Sequence, residues 1–171
     1  TWDCPEADLI IASDSINSAT REAKRNRFAP AIDLRSNHFT WLGSTRPLEG
    51  FTFFFKETPE GLFVAHCYQY EPERSTWVIE IDHDTFVRCG FDAMTEAEYV
   101  SYIARIFAEE LEGHALIANR SIWRQFPAIR CRHWYYDNIV LLGDAKSTAH
   151  FSIGPGTKLA KEAPNRHPPS L

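Results

Sequence analysis

The chain has 171 residues, a net charge of −5, and 44% hydrophobic and 13% aromatic residues. That length suits one domain or pieces of two and allows roughly 70% of the unfolded surface to be buried, which excludes a disordered chain as the default reading. The acidic balance argues against a nucleic-acid surface, whose usual footprint is a basic patch, yet leaves room for an anionic small ligand held by a local cluster of cations.

Cys4, Cys67, Cys89 and Cys131 are spaced for neither a zinc site nor a compact disulfide framework, so reduced thiols in a cytoplasmic protein are expected. His38, His83, His114, His133 and His167 show no metal-ligand spacing, and no metal is expected. No apolar run approaches the length of a membrane-spanning helix. A hydrolase would need a GxSxG elbow, which is absent.

In chain order, the apolar run from Ala7 to Asp14 predicts a buried strand of parallel-sheet character that ends in an acid. A helix over Ile16 to Arg27 follows, with Asn17 or Ser18 as its N-cap. Its basic residues Arg21, Lys24, Arg25 and Arg27 make either a solvated face or phosphate contacts. From Asp33 to Ile81 the chain is aromatic and β-branched, punctuated by Gly50, Pro59-Glu60-Gly61 and Pro72-Glu73, and predicts a meander of antiparallel strands. Strict alternation places Phe63, Ala65, Cys67 and Gln69 on one face and Val64, His66, Tyr68 and Tyr70 on the other.

Thr95 and Glu98 form a capping box for a helix that runs to a stop at Gly113. Its stripe of Tyr99, Tyr102, Ile103, Ile106 and Phe107 predicts core packing against the sheet. The segment Ile122 to Asn138 reads as a further strand with a turn at Asp137-Asn138. It leads into Ile-Val-Leu-Leu-Gly-Asp (139–144), a second strand closed by an acid, and then Gly154-Pro155-Gly156 before a helix start.

A strand ending in Asp144 places a carboxylate at the carboxyl edge of a parallel sheet, where open α/β sheets bind ligands. A Gly-Pro-Gly helix start offers close backbone approach, free N–H groups and the positive end of a helix dipole. A ligand with hydroxyls at one end and an electron-rich carbonyl at the other would suit both.

The stretch Val-Leu-Leu-Gly-Asp…Ser-Ile-Gly-Pro-Gly-Thr-Lys-Leu-Ala (140–160) resembles the second flavin-contact motif of the class A FAD-dependent aromatic monooxygenases. The stretch Asp-Leu-Ile-Ile-Ala-Ser-Asp-Ser…Arg (8–21) is similar to their middle motif. The wording around residues 148–160, the Phe-rich strand and Arg-Gln-Phe-Pro (124–127) resemble the monooxygenase region of salicylyl-CoA 5-hydroxylases and 2-aminobenzoyl-CoA monooxygenase/reductases.

The resemblance implies an α+β fold: α/β flavin-domain pieces flanking an antiparallel β-sheet substrate domain with packed helices. Residues 1–30 would be part of an FAD-binding domain, 31–134 the substrate domain, and 135–171 the return to the FAD-binding domain with an altered or truncated tail. It implies that Gly143, Asp144, Gly154, Pro155 and Gly156 bind FAD, with Asp144 on the ribityl hydroxyls, and that Asp14 and Arg21 lie near the pyrophosphate and the NAD(P)H path. Phe53, Phe55, His66, Tyr68 and His150 would line the pocket for the aromatic substrate, and no catalytic side chain is assigned. The implied reaction is NAD(P)H-dependent hydroxylation of an aromatic ring, such as that of an aryl-CoA thioester.

Three departures stand beside this likeness. Ser15 replaces the family's usual Gly, Lys146-Ser147 replaces Ala-His, and prolines at 164, 168 and 169 break the helix that the family continues after Ala160; the N-terminal GxGxxG fingerprint is also absent, so the chain reads as a fragment lacking the ADP-binding segment. The rival reading is a non-catalytic remnant or binding module that keeps only the β-sheet pocket.

Overall fold

The structure is a computed structural model that describes residues 7–148. The expected α+β class is observed. The elements in chain order are β1 (Ile10–Ala12), α1 (Ala19–Ala23), α2 (Arg25–Phe28), β2 (Pro30–Ser44), β3 (Thr52–Thr58), β4 (Gly61–Glu71), β5 (Arg74–Ile81), α3 (His83–Cys89), α4 (Glu96–Ile106), α5 (Ala108–Leu111), β6 (Leu116–Ile117), β7 (Arg124–Cys131), β8 (Tyr135–Tyr136) and β9 (Ile139–Leu141). The chain divides into two compact units, Ser36–Phe126 and the remainder on either side of it, with β2 and β7 carrying the chain from one to the other.

The Ser36–Phe126 unit is an antiparallel sheet in the order β3-β4-β5-β2-β6. Register fixes its two faces. Thr52, Cys67, Trp77 and Leu42 align across four strands, as do Phe54, Ala65, Ile79 and Thr40. Cys67, Trp77, Ala65, Ile79, Leu42 and Thr40 from these rows are buried. All of these but Thr40 join Cys89, Phe91, Tyr99, Ile103, Phe107 and Leu111 in one core, so the helices cover this face.

The capping box forms as its residue pattern dictates: Thr95 Oγ1 accepts from the Glu98 backbone N–H, and the Glu98 carboxylate accepts from the Thr95 N–H at 2.7 Å. The long helix expected up to Gly113 breaks at Phe107. That ring is fully buried edge-on to Trp77, with centroids 6.0 Å apart, and the chain then restarts as α5. Helix α3 is a seven-residue element that the sequence pattern left unassigned; the Asp82 side chain caps its start and Gly90, at φ +67, ends it.

Gly61 opens β4 at φ +144, and a Cβ there would stand 2.0 Å from the Thr85 hydroxyl oxygen, so only glycine fits.

The second unit is built on a three-stranded sheet in the order β1-β9-β8. Strands β1 and β9 are parallel, Ile10 opposite Ile139 and Ala12 opposite Leu141, and the Asp137-Asn138 turn returns β8 onto β9. Asp137 takes φ +55, as a tight hairpin turn requires. Ala12, Phe28, Ile139, Leu141 and Ala145 form the core of this unit.

The first strand is shorter and less buried than expected from Ala7 to Asp14. It spans three residues, and Leu9 and Ile11 are 57% and 59% exposed. The helix expected over Ile16 to Arg27 is two short helices, because Lys24 leaves helical geometry (φ −117, ψ 31) between them.

Candidate functional site

Four of the residues expected to meet a cofactor lie in the second unit and gather at the carboxyl edge of β1 and β9. The parallel pairing makes this so: Ala12 and Leu141 are partners, and the chain leaves them into Asp14 and into Gly143-Asp144 respectively. Gly143–Ala145 forms a single 3-10 turn, with Gly143 at φ +57, a conformation glycine adopts at no steric cost.

Arg21 joins the two strand ends. It is 4% exposed, and its guanidinium donates to the carbonyls of Ala145 at 3.0 Å, Asp144 at 3.4 Å and Ile16 at 2.5 Å. Arg21 is no part of a solvated face: its two terminal nitrogens donate to backbone oxygens, and its Nε is buried with no hydrogen-bond partner among the described residues. Asp14 accepts from the Thr20 N–H at 3.0 Å, ahead of Ser18, whose hydroxyl accepts from the Arg21 N–H. Burial alone would raise the Asp14 pKa, but hydrogen bonds from Ser18 and Thr20 outweigh it and hold the carboxyl below its ordinary value.

Ser15, where the resembling family carries glycine, adopts φ +68. The turn has kept the left-handed backbone and placed a Cβ on it, a local strain. The Asp144 side chain is exposed, and among the described residues no hydrogen bond ends on its carboxylate. Gly154, Pro155, Gly156 and His150 lie outside the described residues.

Of the residues expected to meet substrate, Phe53, Phe55, His66 and Tyr68 share the face of the Ser36–Phe126 sheet opposite the helices. Phe53, His66, Val78 and Trp41 align across four strands. Phe53 and Phe55 are exposed, with ring centroids 6.3 Å apart, and Phe51 stacks on Tyr68 at 5.9 Å.

His66 is different. It is 5% exposed, lies edge-on to Phe53 at 4.9 Å, and its Nε2 is 3.0 Å from Glu80 Oε2. Asn37 donates to the other Glu80 oxygen at 2.8 Å. The imidazole and carboxylate thus form a buried polar pair under an aromatic surface.

The sequence pattern missed a cleft of about 510 Å³ on this same unit, bordered by Trp41, Tyr70, Arg74, Arg120 and Arg124. Its residues come from β2, from β4 and β5 near their connecting turn, and from residues 117–124, so no local motif marks it. Among the described residues no group of histidine, cysteine and carboxylate side chains is arranged to hold a metal, and no helix is long and apolar enough to cross a membrane. Cys67, Cys89 and Cys131 are free thiols, and burial pushes each pKa up, Cys67 furthest.

Solved structures share this fold, two of them named as an oxygenase and a flavin-dependent halogenase. A variant of 2-methyl-3-hydroxypyridine-5-carboxylic acid oxygenase superposes with a TM-score of 0.69 at 14% identity, over 91% of this chain and 43% of that one. CmlS, a flavin-dependent halogenase, superposes with a TM-score of 0.64 at 15% identity, over 91% of this chain and 28% of that one. At such identities the likeness is one of fold.

Sequence comparison is more specific. The chain is 38% identical over 163 residues to a salicyloyl-CoA 5-hydroxylase of a Streptomyces species, covering 91% of this chain and 32% of that protein. It is 40% identical over 153 residues to the 3-hydroxy-4-methyl-anthranilyl-[aryl-carrier protein] 5-monooxygenase of Streptosporangium sibiricum, covering 90% of this chain and 40% of that protein. The chain therefore spans well under half the length of these relatives. No family model matches it. The resemblance to aromatic monooxygenases carried by the two strand-end motifs extends over about nine tenths of the chain, 91% and 90% in these two alignments.

Proposed function

We propose that this chain is the substrate-sheet and later flavin-contact portion of an FAD-dependent, NAD(P)H-using hydroxylase of an electron-rich aromatic ring, with an aryl thioester as substrate. The observation that carries the reading is the strand end at Asp144. There an exposed carboxylate stands at the carboxyl edge of a parallel strand pair, on a turn whose carbonyls are clamped by a buried arginine.

The residues fit a flavin. An unshared carboxylate at this edge is the acceptor that the hydroxyls of a ribityl chain require, and a fixed backbone holds it in place before the ligand arrives. Asp144 binds those hydroxyls. Arg21 acts through the Asp144 and Ala145 carbonyls and is a positioning residue. Asp14 fixes the opening turn of α1 at the same edge, and Gly154, Pro155 and Gly156 complete the cofactor contacts. When bound, the reduced flavin supplies activation of oxygen for transfer to the ring.

Phe53, Phe55 and Tyr68 offer flat apolar surface to an aromatic substrate and exclude water from it. His66, held by Glu80, orients the polar side of that surface, and His150 joins the substrate contacts. Salicylyl-CoA and 2-aminobenzoyl-CoA are the substrates whose ring chemistry fits, since an ortho hydroxyl or amino group makes the ring electron-rich. NAD(P)H supplies the electrons, and a cytoplasmic location supplies both cosubstrates.

A flavin titration tests the proposal. The chain, or a chain extended on both sides to the relatives' length, is expected to quench flavin fluorescence and to oxidise NAD(P)H faster when an aryl-CoA is added. A protein of the extended length that is colourless once unbound FAD has been removed overturns the reading.

A further inference from the structure

We infer that the cleft beside Trp41 is a binding site for the adenosine diphosphate moiety of a nucleotide. Three arginines and three aromatic residues, Phe39 among them, line it. Arg74, Arg120 and Arg124 border the cleft with Trp41 and Tyr70, in a volume of about 510 Å³. That volume is within the usual range of small-ligand pockets, roughly 300–1,000 Å³.

In a chain of net charge −5, three arginines on one cleft form a local field opposite to that of the whole molecule. Arg120 and Arg124 make no ion pair among the described residues, and Arg74 meets Glu71 only at 3.8 Å, with both side chains more than half exposed. Guanidinium forks match phosphate oxygens two at a time, so unspent arginines in a cleft point to a phosphate-bearing ligand. Trp41 is 50% exposed and Tyr70 51% exposed, and these faces suit a purine ring.

The backbone supports the same reading. Arg120 has φ +53, a conformation costly for a residue with a side chain. The neighbouring Ser121 is pinned on three sides: its N–H donates to Glu96 Oε1, its hydroxyl donates to the Trp41 carbonyl, and its own carbonyl accepts from the Tyr99 hydroxyl, each at 2.5 Å. These bonds hold the strained arginine at the rim and couple it to the strand that carries Trp41.

Three ligands of the proposed reaction contain adenosine diphosphate: FAD, the pyridine dinucleotide and a coenzyme A thioester, and competition by FAD alone assigns the cleft to the flavin cofactor. The inference rests on the hydroxylase reading only for the choice among them. Calorimetric titration of the chain with ADP is expected to show binding at the cleft. Pyrophosphate is expected to compete, adenosine to bind at least tenfold more weakly, and the R120A/R124A double variant to lose at least tenfold in ADP affinity while its circular dichroism is unchanged.

Competition by coenzyme A but not NADH assigns the cleft to the thioester, and the converse assigns it to the dinucleotide. Absence of ADP binding, binding unaltered in R120A/R124A, or failure of FAD, NADH and coenzyme A alike to compete overturns the inference. Flavin fluorescence at the relatives' length separates it from the hydroxylase reading: ADP binding without flavin binding keeps the cleft and sinks the hydroxylase, and flavin binding without ADP binding does the reverse.

Discussion

Replacing Arg21 with methionine tests the architecture of the strand-end site. Methionine follows the arginine stem as far as Nε and is unbranched and adaptable, so the stem's packing is kept while the guanidinium fork is removed. What disappears is the donor set for three carbonyls, those of Ile16, Asp144 and Ala145. Each unmet buried acceptor costs about 1–3 kcal/mol. Removing a buried charge recovers part of this, because the guanidinium no longer has to be stripped of water. The net loss is expected to be about 3 kcal/mol, which at a urea slope of about 2 kcal/mol per molar moves the midpoint down by about 1.5 M.

Arg21→Lys keeps the charge, but a single ammonium cannot span carbonyls on two segments, so it falls between methionine and the native residue. Urea unfolding followed by circular dichroism measures both. An R21M midpoint equal to that of the native chain would refute the claim that the arginine ties the turn at Asp144 to α1.

Asp144→Ala is expected to leave the urea midpoint unchanged, since the carboxylate has no partner among the described residues, and to weaken flavin binding at least tenfold, consistent with loss of a charge-assisted hydrogen bond worth about 1.5–3 kcal/mol. Gly61→Ala places a Cβ 2.0 Å from the Thr85 hydroxyl oxygen at a backbone angle that alanine avoids, and a loss of about 3 kcal/mol or more is expected in thermal melts. Ser15→Gly relieves the strain at φ +68 and is expected to raise stability by up to about 1 kcal/mol, the gain being limited by the greater freedom of glycine in the unfolded chain.

The Thr85 N–H bonded to the Asp82 carboxylate holds its pKa below the ordinary value. Its stabilisation is therefore complete above the unfolded value of about 3.9 and is lost as pH falls through the lower folded one. Asp82→Asn, which keeps the capping oxygen, is expected to flatten the fall in melting temperature between pH 4 and 2.

Local signals carried much of the fold. The Thr95/Glu98 box, the alternation in β4 and the Asp137-Asn138 turn each depend on residues a few positions apart, and each formed as chemistry requires. Helix α3 had the same kind of signal, Asp82 before it and Gly90 after it, but seven residues are too few for an apolar stripe to register. Arg21 was ambiguous for another reason: nothing within its own helix reveals that the carbonyls of Asp144 and Ala145 lie beside it. The arginine cleft was invisible for the same reason, since Trp41, Arg74 and Arg124 meet only after strands far apart in sequence have paired.

The parallel pairing of Ile10 with Ile139 also has a bearing on the order of folding. The Ser36–Phe126 unit is continuous in sequence and can close on itself as soon as it leaves the ribosome. The strand pair beside Asp144 must wait, because its second member is made only after that whole unit has been synthesised. Until then Ile10, Ile11 and Ala12 are without their β9 partners Ile139, Val140 and Leu141, so this half of the site forms late whatever the speed at which the continuous unit closes.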